Sequence, residues 1–436
     1  MSDSTAIEAP LEPQPGPSVP RSRGLGLTLT ILALSIGAGC AVQAAFGPVQ
    51  EFARTDLNLS DMQMGLVQGM ATAIPAALLS IPIGWMADHS NRVRIMLVLA
   101  LLWSVGAAAS AFATSFEMLF AARMLSALGL TVVLPVAISI AADLCPPDKR
   151  GRSLLLLSMG KVVGIALAFA VGGTLFGILS ARTEPLFGMA AWRVTQLIFA
   201  GGSVLLVLPL LMLREPVRQE VEKAAVGFQA SMRALWDRRG LLAPLFVGQI
   251  AVIMADASAG IWATPVLMRT YGLQPAEFGG WMGLVLLGSG LLGTIAGGIA
   301  ADAGLKRGGG RGLLISAVIA SAIGVPAALF PMMPNVPGFA LMLTALLLAG
   351  TATGLITATA IAVLVPNQFR ALCLGSFVVV GSFIGFGVAP SLVTIISERV
   401  GGEGTLAPAL AGVGLASSLL SLIAFALAAR AAPKQT

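Results

Sequence analysis

The sequence predicts an all-α polytopic membrane protein whose twelve transmembrane helices fall into two six-helix halves. Three observations carry that expectation. Only 11% of the 436 residues are charged and 57% are hydrophobic, too little polar surface to coat a water-soluble globule, in which about a quarter of residues are charged. Apolar segments of about 20 residues or more, the length that crosses a bilayer, recur twelve times. A short charged loop in the first half returns at the matching place in the second.

Taken in order, residues 1–24 are rich in Pro, Ser and acidic residues and have no apolar core, so they read as a disordered cytoplasmic tail and not as a signal peptide. The first half, 25–213, holds spans 1 to 6 at roughly 25–47, 64–86, 94–113, 117–144, 153–180 and 192–213. A polar linker, 214–240, follows; Phe228, Met232, Leu235 and Trp236 stand at helical spacing there, which suits a surface amphipathic helix or a plain connector. The second half, 241–430, holds spans 7 to 12 at roughly 241–269, 278–301, 312–332, 337–364, 371–396 and 405–429, before a short tail, 431–436. With both termini inside, 19 of the 26 Lys and Arg residues fall on the cytoplasmic side. Five (Arg54, Arg182, Arg193, Arg269 and Arg399) fall outside, and Arg123 and Lys161 lie within spans. That bias sets both termini in the cytoplasm of a multi-pass plasma (bacterial inner) membrane protein. The net charge of +6 therefore belongs to loops beside the bilayer and implies no nucleic-acid partner.

The loop between spans 2 and 3 reads Gly84-Trp85-Met86-Ala87-Asp88-His89-Ser90-Asn91-Arg92-Val93-Arg94. Gly84 lets neighbouring helix backbones approach, Asp88 accepts charge-assisted hydrogen bonds, and Arg92 and Arg94 hold the loop inside. Its second copy, Gly298-Ile299-Ala300-Ala301-Asp302 followed by Lys306, Arg307 and Arg311, separates spans 8 and 9. Pro146-Pro147-Asp148-Lys149-Arg150-Gly151-Arg152 enters span 5 and is echoed by Pro366-Asn367-Gln368-Phe369-Arg370 entering span 11. The offsets are 214 residues (88 to 302) and 220 (150 to 370), as fused repeats would give.

These loops, the six-plus-six count and the central linker resemble the major facilitator superfamily across the whole chain. Ala122-Arg123, Asp143-Leu144-Cys145-Pro146-Pro147, Ser158-Met159-Gly160, Trp192-Arg193 and Leu213-Arg214-Glu215-Pro216 are similar to its bacterial spinster-like branch, as is Leu364-Val365-Pro366 with Arg370. The resemblance implies transport by rocking two halves about a midplane site. It also implies that Gly84, Asp88, Arg92, Asp143, Arg150 and Arg152, with Asp302 and Arg370 in the second half, act as gating residues that latch the inner side. Three departures stand out. Span 1 reads Ile36-Gly37-Ala38-Gly39 where the branch carries an acidic–basic pair, Gly129-Leu130-Thr131 follows the span-4 arginine without a glutamate, and Ala168-Phe169 replaces the Gly-Pro of the antiporter pattern.

Charges inside a membrane are costly and mark functional sites. Arg123 in span 4, Lys161 in span 5 and Asp256 in span 7 are the substrate or proton candidates. Arg123 is expected at the central cavity, as substrate anchor or as partner of backbone carbonyls. Lys161 contacts substrate or snorkels toward the cytoplasm. Asp256, the acid placed deepest, can carry a proton or pair with Lys161 or Arg123. Gln43, Gln68, Gln196, Gln249, Thr131 and Thr357 can line the pocket or glue helices together, and Trp103, Trp262 and Trp281 can pack a ligand's apolar part. Two cations against one acid favour an anionic or zwitterionic, small organic or amphipathic solute. No cofactor is expected: Cys40, Cys145, Cys373 and the lone His89 lack metal spacing, and Gly308-Gly309-Gly310 lacks the G-K-[ST] of a nucleotide loop. The leading expectation is a monomeric secondary transporter, not an enzyme. A transporter-fold receptor or scaffold, or a lipid-modifying membrane enzyme, is the alternative.

Overall fold

The structure, a computed structural model, describes residues 24–146, 150–216, 218, 233 and 235–432; the side chains of Ile81, Asp88, Asn367, Gln368, Ala371 and Glu403 fall outside the description. The expected N-terminal tail up to residue 23, Asp148, Lys149, the linker residues Phe228 and Met232, and the tail from 433 lie outside the described residues. Every regular element among the described residues is helical.

Among the described residues, eleven helical runs are long and apolar enough to cross a membrane. One of them, Pro275–Met332, is 58 residues long and carries spans 8 and 9 together. It breaks at Gly308 and Gly309, the latter at φ 55°, a backbone state that glycine adopts without a Cβ clash. Beside the break, a Cβ on Gly312 would stand 2.1 Å from the carbonyl oxygen of Gly304, so the two antiparallel arms touch through bare backbone. Twelve crossings result, and the sequence boundaries hold to within a few residues elsewhere. The starts are capped by short polar side chains, as orphan backbone donors require: Ser60 with Gln63 in a reciprocal box, Asn91 on Arg94, Ser115 on Met118 and Asn335 on Gly338. Span 4, Phe116–Leu144, is interrupted at Thr131 and Val132, because Pro135 has no N–H to return to the preceding turn. Spans 2 and 11 each contain a π-helical stretch, Leu66–Met70 and Ser382–Val388.

The repeat seen in the loops extends into the core. Ser104 and Ser203 oxygens lie 2.7 Å apart and join spans 3 and 6; Ser321 and Ser421, 3.1 Å apart, join spans 9 and 12. The partners are offset by 217 and 218 residues, between the two loop offsets.

The halves meet along two glycine-lined seams. Span 5 lies against span 8, where added Cβ atoms on Gly173 and Gly279 would stand 2.3 Å from the Pro275 oxygen and 2.6 Å from the Phe169 oxygen. Span 2 lies against span 11 at the two π-helical stretches, with Gly69 against the Phe386 carbonyl and Gly387 against Met70. Small residues are what let helices pack tightly where lipid supplies no hydrophobic drive. Arg92, Arg150, Arg311 and Arg370 mark one end of the bundle, hereafter the basic end. Glu51, Asp61 and Arg269 mark the far end.

Candidate functional site

Arg123 is 1% exposed. Its Nη2 donates to the Gln43 carbonyl and to Gln68 Oε1, both at 3.1 Å, and its guanidinium lies 4.7 Å from the Phe46 ring centroid. Gln68 Nε2 passes the chain on to Gln50 Oε1 at 2.8 Å, and Gln50 Nε2 donates to the Ile261 carbonyl of span 7 at 2.6 Å. A polar line thus runs from span 4 through spans 2 and 1 into the other half. Gln43 is held from two sides, donating to Thr72 Oγ1 at 3.1 Å and accepting from Ser126 Oγ at 3.2 Å. Arg123 Nε and Nη1 are buried and make no hydrogen bond. An unmet buried donor costs about 1–3 kcal/mol, more when charged, so Nε and Nη1 hold donor capacity that the protein itself leaves unused.

Arg123, Gln43, Gln68 and Thr72 line a cavity of about 340 Å³ whose other wall is Ile253, Asp256, Gly260 and Phe386 of spans 7 and 11. Asp256 therefore faces Arg123 across the halves, yet no ion pair joins them among the described residues, and Asp256 Oδ1 is buried without a hydrogen-bond partner. A second cavity of about 250 Å³ shares Gln43, Gln68, Gly260 and Ile261 with the first and is otherwise mostly apolar, with Cys40, Leu130, Ile165, Phe169 and Leu286. Lys161 is exposed one helical turn before Ile165, and its charge reaches Cys40. The pairing of Lys161 with Asp256 expected as one possibility is not formed, and Lys161 lines neither central cavity.

The remaining polar candidates divide. Thr131 lines a third cavity, about 450 Å³, near the basic end. Thr357 donates to Gln249 Oε1 at 3.0 Å, a buried clasp between spans 10 and 7, and Gln196 is fully buried in span 6 with neither amide atom bonded. These four lie outside the linings of the two central cavities. Trp103 and Trp262 are fully buried, Trp262 donating to the Pro390 carbonyl at 3.0 Å, and Trp281 packs partly buried on the core; as helix packing, the two buried indoles are closed to a ligand.

At the basic end, Arg92 pairs with Asp143 and Glu215, each at 2.6 Å, and donates to Ser139 at 2.8 Å. Arg150 donates to the Ala142 carbonyl at 3.2 Å and Arg370 to its own Val365 carbonyl at 2.8 Å, while Arg152 and Asp302 are exposed. Among the described residues, the contacts of Arg92 tie spans 3, 4 and 6 of one half together. Gly84 has nothing within 4 Å of an added Cβ; the close helix approach expected there is absent because Gly84 borders the 450 Å³ cavity between spans 2, 4 and 11. Among the described residues, an ion-pair bridge between the halves lies at the far end, where the sequence reading placed no site. Arg269 of span 7 bonds Asp61 with both terminal nitrogens at 2.7 Å and Glu51 at 2.9 and 3.1 Å. Arg193 pairs with Asp56 at 2.8 Å. The signal was available: Arg54, Arg193 and Arg269, exceptions to the inner charge bias, sit among the acids Glu51, Asp56 and Asp61 on the same side. Gln50, Thr72 and Ser126 carried no comparable mark.

Two six-helix halves packed around a central cavity define a multi-pass helical membrane protein. A profile of the Major Facilitator Superfamily matches residues 29–371, and the chain belongs to that superfamily. A crystal structure of a bacterial homolog to the human lysosomal transporter Spinster, in inward-facing and unoccupied conformation, aligns with TM-score 0.77 over 94% of this chain and 97% of that one. Their identity is 22%, so the likeness is one of fold. The 3-(3-hydroxy-phenyl)propionate transporter of Escherichia coli (strain K12) is 28% identical over 254 residues, 56% of each chain. The 4-hydroxybenzoate transporter PcaK of Pseudomonas aeruginosa is 30% identical over 210 residues, 48% of this chain and 42% of that one. The chain thus spans about half the length of these relatives.

Proposed function

We propose that the chain is a secondary transporter that moves a small organic anion or zwitterion, polar at one end and apolar at the other, by alternating access. The carrying observation is the 340 Å³ cavity with the two unmet Arg123 N–H groups on one wall and Asp256 on the other. In this reading Arg123 takes the carboxylate of the solute, the adjoining apolar cavity takes its hydrophobic part, and Lys161 raises the local anion concentration. The propionate and benzoate in the relatives' names support an organic acid. Residues 25–213 and 241–430 are the moving halves and 214–240 the linker. The Arg269 lock closes the outer side and the basic end is cytoplasmic, in a bacterial inner membrane, with the protein working as a monomer. Asp256 is the coupling group: it takes up a cation, in the simplest case a proton, when the cavity is loaded.

A thermal-stability screen of purified protein tests the substrate class. Aromatic and aliphatic carboxylates are expected to raise the melting temperature of wild type by mass action and to do so less in Lys161→Ala. Stabilisation by cationic amphiphiles alone would make Asp256 the anchor and overturn the anion assignment. In proteoliposomes, Asp256→Asn is expected to lose gradient-driven accumulation while retaining substrate exchange. Unchanged accumulation would remove Asp256 from coupling.

A further inference from the structure

A proline inside a helix leaves one acceptor open, because it has no N–H to return to the carbonyl four residues back. Span 7 stays helical from Arg239 to Arg269 through Pro265, so the carbonyl left open is that of Ile261, a residue on the wall of both central cavities. The local side-chain donor, the Thr264 hydroxyl three residues on, is buried and makes no hydrogen bond. The donor comes from the other half: Gln50, fully buried, gives its Nε2 hydrogen to the Ile261 oxygen at 2.6 Å.

The internal repeat supplies a comparison. Subtracting the 217-residue offset that relates Ser321 to Ser104 puts Pro48 where Pro265 stands. There the α-helix does not continue: it ends at Ala44, and a single tighter turn covers Gly47–Val49. Span 7 keeps its helix across the proline and so delivers Arg269, one turn further on, to Glu51 at 2.9 Å. Consecutive residues of the first half thus hold span 7 on both sides of Pro265, Gln50 before it and Glu51 after it.

Gln50 is also fixed from behind. Its Oε1 accepts from Gln68 Nε2 at 2.8 Å, and Gln68 Oε1 accepts from Arg123 Nη2 at 3.1 Å. The two ends orient both amides, since a guanidinium only donates and a carbonyl only accepts. Each amide therefore accepts on the Arg123 side and donates on the span-7 side, and bonds aligned in this way strengthen one another.

We propose that Gln50 is a positioning residue for far-end closure, supplying from one half the hydrogen bond that Pro265 removes from the other, and that Gln68 places this bond under the influence of Arg123. Parting of the halves at this end takes the Gln50 donor away from Ile261, so the bond belongs to the closed arrangement alone. The influence of Arg123 on transport rests on the transporter reading above; the action of Gln50 on closure does not.

The test is the thiol-labelling rate of a single cysteine at Met62 in the purified full-length protein, without substrate and without Cys40, Cys145 and Cys373. Met62 lies between the halves at the far end, where Thr394 Oγ1 of span 11 donates to its sulfur at 3.4 Å. Gln50→Leu leaves the Ile261 carbonyl buried and unmet when the end is closed, and is expected to raise labelling about tenfold. Pro265→Ala returns an N–H to that carbonyl, so in its background Gln50→Leu should change labelling less than about twofold. Gln50→Asn, a smaller change that keeps an amide one methylene short, should give a smaller rise with the same dependence on Pro265 if the leucine variant does not fold. An equal rise in both backgrounds marks Gln50 as packing and overturns the proposal, as does unchanged labelling with Pro265 in place. Gln68→Leu should act in the same direction as Gln50→Leu, and no effect there overturns the influence of Arg123. The labelling contrast in a protein that moves no carboxylate supports the role of Gln50 and removes the transporter reading. Carboxylate transport without the contrast overturns the role of Gln50 and leaves that reading intact.

Discussion

Arg123 and Asp256 face one cavity from opposite halves without pairing, and that separation governs what each can do. A fully paired guanidinium would be a structural strut. Arg123 instead spends one nitrogen on Gln43 and Gln68 and leaves Nε and Nη1 unmet. Its planar fork matches a carboxylate at two points, which a lysine cannot do. Arg123→Lys is accordingly expected to weaken carboxylate binding by at least about tenfold with little change in expression, read by substrate titration of the melting temperature. Equal affinity would place the anion elsewhere, Lys161 being next in line. Asp256 and Arg123 were legible in the sequence because an ionisable residue deep in an apolar run is conspicuous. Gln50 was not: it sits in a loop by hydropathy, and only the fold turns it inward to reach Ile261.

At the level of elements, the proposed movement of the two halves as units falls on the seams between them. Span 5 against span 8 and span 2 against span 11 touch through glycine toward the far end, while Gly84 near the basic end touches nothing. Gly173→Val is therefore expected to prevent far-end closure, since even its Cβ would overlap the Pro275 oxygen. Gly84→Val should be silent in the state described and slow the return, in which the basic end closes. Accessibility of single cysteines at the two ends, in a background without Cys40, Cys145 and Cys373, distinguishes the outcomes: Gly173→Val should raise labelling at the far end, and Gly84→Val should leave it unchanged. The π-helical stretches of spans 2 and 11 could not have been foreseen from periodicity, because a single inserted residue in a uniformly apolar helix leaves no pattern to read.

For the whole molecule, the two ends differ in how their charges are arranged. Arg269 holds Glu51 and Asp61 together across the halves, whereas the contacts of Arg92 among the described residues stay within one half. Charge-assisted, bidentate contacts of this kind contribute roughly 1.5–3 kcal/mol each, enough to bias a two-state equilibrium but not to freeze it. A reducible bifunctional crosslink between Glu51→Cys and Arg269→Cys, made in the same cysteine-free background, is expected to stop transport, and its cleavage to restore it. Continued transport with the crosslink in place would mean that the far end does not open in the cycle.

The sequence by itself determined the class, the number of crossings, the repeat and the family, because apolar length and recurrent loop motifs are local, additive properties of a chain. It also singled out the three membrane-embedded charges. Only the tertiary structure decided which polar residues share a cavity: Gln43 and Gln68 join Arg123, while Gln249 and Thr357 hold each other and Gln196 is buried apart. Only it placed an ion-pair bridge between the halves at Arg269, at the far end. These depend on helix rotation, on breaks at Thr131 and Gly309 and on the π-helical stretches. Such features are set by packing between segments far apart in the chain, and hydropathy along any one segment is blind to them.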